Sequence, residues 1–145
     1  MNEFNDNPFV EALDFENEAY RKQEYICEQR IWNMGDSQLE KLYNQYLTRN
    51  DTEIYINEKR YIRLLYSEFI QISGKDFLIA CIPSKLDCRI GDIIQDENGS
   101  KFVLETPIHM RFSGDIPKWY LNTTPWSLKW GNTNEIGNYI TLAWT

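Results

Sequence analysis

The chain has 145 residues, 22 acidic and 15 basic, with a formal net charge of −7. That length accommodates one domain, and a composition 42% hydrophobic and 14% aromatic excludes an intrinsically disordered chain. A pI near 4.7 argues against a nucleic-acid partner, because phosphate binding requires clustered Lys and Arg.

The opening residues Met1–Asp6 are acidic and lack a basic stretch followed by an apolar run, so no secretory leader is expected. The longest apolar runs, such as Phe77–Ile82, fall far short of the roughly 20 residues of a membrane helix. Cys27, Cys81 and Cys88 are an odd set without a CxxC spacing, which reads as free thiols in the cytoplasm. The acidity is uneven. Residues 1–30 hold eight acids and three bases, so the remaining chain is nearly balanced.

Pro8 suits an early helical position, and neither Pro nor Gly occurs from Phe9 to Trp32. Apolar residues recur there on one stripe, interrupted by Glu16 and Gln23, which predicts a long, imperfectly amphipathic helix. Gly35 is its stop. Ser37–Glu40 fits a capping box, and Leu39, Leu42, Tyr43, Tyr46 and Leu47 follow at helical spacing. Asn50-Asp51 ends this second helix, completing a helical hairpin over about residues 8–50.

From Thr52 the pattern becomes β-branched and aromatic residues between turn signals. Hairpin turns are predicted at Asn57–Arg60, Ser73–Asp76 and Asp96–Ser100, the last with Asn98-Gly99 between two apolar runs. Further strands are expected at His109–Phe112, Trp119–Leu121, Trp126–Trp130 and Tyr139–Trp144. The fold class is therefore α+β. A helical hairpin docks on a small antiparallel β-barrel, or on a strongly twisted antiparallel sheet, spanning about 52–145 in a single domain.

Candidate chemistry is sparse. His109 is the only histidine, and with Arg111 and Glu105 it forms the one set that suits a hydrolase. The plainer reading is a strand with a solvated polar face and Met110 and Phe112 in the core. Ser113-Gly114-Asp115 reads as a turn, and Cys81 in an apolar strand reads as an inert thiol. The hairpin carrying Asp92, Asp96 and Glu97 lacks the ligand spacing of a calcium loop. No Gly-x-Gly-x-x-Gly or Walker motif is present, so no cofactor is expected.

Two binding surfaces remain. Trp119, Trp126, Trp130 and Trp144 crowd the carboxyl end. On one strand, Trp126 and Trp130 share a face and could stack on a sugar or nucleobase. The opposing reading places most of these rings in the core. In the first helix, Glu11, Asp14 and Glu18 form a negative stripe able to steer a basic protein. The leading expectation is a non-enzymatic cytoplasmic protein-binding domain with an acidic recognition face, of the inhibitor or immunity type. Self-association through the first helix and a small-molecule ligand are the other partners weighed.

Overall fold

In a computed structural model, the residues described are 27–31, 36–72 and 74–143. They form a mostly antiparallel sheet with few helices. Residues 27–31 are helical (α1), and α2 spans Asp36–Leu47. These are the described parts of the expected helical hairpin; the rest of its first helix lies outside the described residues. Leu39, Tyr43 and Tyr46 are buried as their spacing demands, whereas Leu47 is exposed.

Eight strands follow. β1 (Glu53–Ile56) and β2 (Lys59–Arg63) turn at Asn57-Glu58, both with positive φ. That is the twist-matched geometry of a two-residue hairpin. β3 (Tyr66–Ile72) pairs with β4 (Lys75–Pro83) in unbroken register from Tyr66↔Cys81 to Ile72↔Lys75. β5 (Ile93–Asp96) and β6 (Lys101–Pro107) flank the Asn98-Gly99 turn, where Gly99 has φ +87°. A short helix, α3 (Lys118–Asn122), precedes β7 (Thr123–Trp130), and β8 (Tyr139–Leu142) completes the sheet. The order is β1-β2-β8-β5-β6-β7-β4-β3.

Two predicted strands are corrected. Trp119–Leu121 belongs to α3, entered through Pro117, which donates no N–H and suits a helix start. Residues 109–112 are not a strand. β6 ends at Pro107, opposite Trp126, and Ile108 N–H bonds to Pro125 O (2.8 Å) before the chain leaves the sheet. Burial still alternates there: Ile108 and Met110 are buried while His109 and Arg111 are exposed.

The barrel expectation is also corrected, because the sheet is open, with β1 and β3 as its edges. It is nevertheless curled. β2 and β3 stand second and eighth in the sheet, which in a flat ladder would separate them by about 29 Å at ~4.8 Å per strand. Only Leu64 and Leu65 join them, and the three Cα steps from Arg63 to Tyr66 span at most about 11 Å. The sheet therefore wraps until its ends approach, and the backbone itself bridges the seam. Leu64 N–H donates to Asn138 O (2.8 Å) on the β8 side, and Leu65 N–H to Cys81 O (3.1 Å) on the β4 side.

Wrapping gives two cores. Leu78, Ala80 and Ile82 of β4 face inward with Ile94, Phe102, Leu104, Trp126, Leu128 and Ile140. Phe77, Ile79 and Cys81 face outward, beneath Cys27, Ile31, Leu39, Tyr43, Tyr46 and Trp119. β4 is thus buried on both faces, which explains its continuous apolar run. Arg30 of α1 clamps the helical layer to β3 through a bidentate pair with Glu68. Glu40 of α2 accepts the Trp119 N–H of α3 (2.9 Å).

Candidate functional site

The sequence-predicted residues fall in different places. Glu11, Asp14 and Glu18 lie outside the described residues, as does Trp144. Trp126 and Trp130 do share the inner face of β7, with Leu128 between them. They differ in exposure, however. Trp126 is only 5% exposed and fills the inner core, while Trp130 is half-buried at the strand's end. Its ring meets Phe69 edge-on, with centroids 5.6 Å apart at 87°, which fixes its orientation. Trp119 is fully buried in the outer core.

Glu105 forms the bulge in β6 where pairing with β7 shifts between Leu104 and Thr106. His109 and Arg111 lie beyond the end of that strand, and neither lines the cleft that Glu105 borders. The thiols are no better placed for nucleophilic chemistry. Burial pushes Cys81 up to about 12. Cys88 is raised to about 12, first by burial and then by the Asp92 and Asp87 charges. A neutral thiol is a poor nucleophile.

The acidic hairpin serves the fold. Asp96 Oδ1 accepts N–H bonds from Asn98 (3.0 Å) and Ser100 (2.9 Å), and its Oδ2 accepts from Gly137 (2.9 Å). Glu97 accepts from the Asn138 and Tyr139 N–H groups. These carboxylates hold the approach to β8. Two others are tied up at the seam: Arg49 lowers Asp51, and Arg60, then Lys85, hold Glu53 at about 2. Among the described residues, no group of three or more His, Cys, Asp or Glu is placed to hold a metal ion.

The structure does bring Glu105 and Trp130 to one cleft of about 450 Å³, shared with Lys75, Asp76, Phe77, Ser127, Leu128 and Lys129. It opens where β4 and β7 part. Their ladder stops at Leu78↔Leu128, while β4 begins at Lys75 and β7 runs on to Trp130. Alternation places Phe77, Ser127 and Lys129 on the outer face, beside the helical layer. Neither Lys75 nor Lys129 forms an ion pair among the described residues, and both are exposed. Lys75, Asp76 and Ser127 carry no signal in the sequence, because only the β3-β4-β7 order brings them to β6.

Compared with known proteins, the chain matches no family model, no curated protein and no solved structure. Among the described residues, no helix is long and apolar enough to cross a membrane.

Proposed function

We propose that residues 1–145 act as one non-catalytic, protein-binding unit that recognises a basic partner through its acidic amino-terminal segment, as an inhibitor or immunity-type protein does. The observation that carries this reading is where the charge lies. The described residues hold fifteen acids against thirteen bases, so most of the −7 belongs to residues 1–26, with seven acids and two bases. Six of the fifteen carboxylates of the described residues are committed to internal partners: Asp51, Glu53 and Glu68 to arginines, Asp96, Glu97 and Glu40 to backbone N–H groups. The surplus negative charge capable of steering a basic surface therefore precedes Cys27, which is anchored in the outer core. Cys27, Cys81 and Cys88 form no disulfide among the described residues, which suits a reducing, cytoplasmic setting.

The test compares the full chain with a variant carrying Glu11→Gln, Asp14→Gln and Glu18→Gln as bait in a cell extract. A basic protein should be retained by the parent at low salt, released at about 0.5 M salt, where screening is short-ranged, and lost from the variant. If the parent retains no protein at low salt, the reading fails.

A further inference from the structure

We propose that the cleft between β4 and β7 binds a small sugar acid: a single hydroxylated ring bearing one anionic group. This inference rests on the described residues of the cleft and stands whether or not the acidic segment binds a protein.

The composition of the cleft selects the class. Lys75 and Lys129 border it as exposed ammonium groups without ion-pair partners among the described residues. Two such groups suit one carboxylate or phosphate. Asp76 and Glu105 contribute two carboxylates, so the side-chain charges of the cleft sum to zero. A polyphosphate would meet repulsion from these carboxylates, whereas ring hydroxyls would donate hydrogen bonds to them. Ser127, which also lines the cleft, is only 1% exposed.

The remaining wall is apolar, with Phe77, Leu128 and the half-buried Trp130. An indole held by Phe69 is a rigid surface for the C–H face of a sugar ring, so little ordering accompanies binding. The volume of about 450 Å³ lies in the range of small-molecule sites. The setting is fixed by architecture. The bulge at Glu105 and the parting of β4 from β7 create the opening, and the buried strands on either side hold it.

The experiment is calorimetric titration of the full chain with glucose 6-phosphate, glucuronate and glucose, repeated on Lys75→Ala/Lys129→Ala and on Trp130→Phe. At least one anionic sugar should bind about tenfold or more tightly than glucose, one such step being the size expected of a single charge-assisted contact. Whichever of the two binds more tightly identifies the anionic group as phosphate or carboxylate. The lysine double variant should lose the preference for the anion, and Trp130→Phe should weaken all binding while keeping that preference. Both lysines are exposed, so an unchanged thermal midpoint will show that the double variant is folded. The proposal is overturned if neither anionic sugar binds, if glucose binds equally well, or if the folded lysine variant keeps the preference.

Discussion

Glu97 occupies the space that a side chain at Gly137 would need: a β-carbon there would stand 1.4 Å from Glu97 Oε1. The carboxylate is not free to swing away, because it accepts N–H bonds from Asn138 and Tyr139. Gly137→Ala should therefore destabilise the protein by about 0.5–1.5 kcal/mol, the net scale of a lost hydrogen bond between groups that solvent can still reach. Urea denaturation of Gly137→Ala, Glu97→Ala and the double variant checks the cause. The double variant should be no less stable than Glu97→Ala alone, since the clash and the lost bonds share one origin. Additive losses would contradict it.

The Arg30–Glu68 clamp gives the fold an acid sensitivity. Burial alone would raise Glu68, but hydrogen bonds from Arg30 and Tyr66 outweigh it and leave its pKa below the ordinary 4.5. A carboxyl depressed in the folded state contributes stability above its unfolded pKa and loses it as pH falls through the folded value. Stability should thus begin to drop near pH 4.5 and continue below it. Glu68→Gln should cost about 1 kcal/mol at neutral pH and flatten that part of the profile. Chemical denaturation at several pH values measures both. An unchanged slope in the variant would assign the acid loss to other carboxylates.

Thiol reactivity should report unfolding. Cys27 and Cys81 are fully buried, and Cys81 and Cys88 are both raised to about 12. At pH 8 a thiol-specific chromogenic reagent should label the native protein slowly and all three cysteines rapidly in denaturant. Rapid labelling of Cys88 in the native state would show that its pocket opens readily.

Trp119 is fully buried, yet its indole N–H has no hydrogen-bond partner among the described residues. An unsatisfied buried donor costs about 1–3 kcal/mol. Trp119→Phe removes that penalty along with some packing, so it should cost less than about 2 kcal/mol, whereas Trp119→Ala should cost about 3–5 kcal/mol. Equal losses in the two variants, read by denaturant titration, would mean that the N–H is satisfied in solution.

The hairpins are legible in the sequence because their signals are local: Asn98-Gly99, and Gly74 with its positive φ, mark turns within a few residues. The burial of Leu39, Tyr43 and Tyr46 follows likewise from helical spacing. His109–Phe112 misled because alternation reports burial, and burial persists there without a partner strand. Trp119–Leu121 is too short for periodicity to separate helix from strand. Of the cleft, Glu105 and Trp130 stand out in the sequence by their chemistry, but their meeting with Lys75 depends on strand order. That order is set by pairings between distant residues, such as Ile62↔Ile140, which no local pattern records.

The placement of β8 between β2 and β5 has a kinetic consequence. Until residues 139–142 insert, β1-β2 and β5-β6-β7-β4-β3 are two separate ribbons tethered by Leu64-Leu65, each presenting an unsatisfied border. Late, long-distance insertion makes for slow maturation, and a ribosome-bound or truncated chain lacking that keystone would expose adhesive edges to its neighbours.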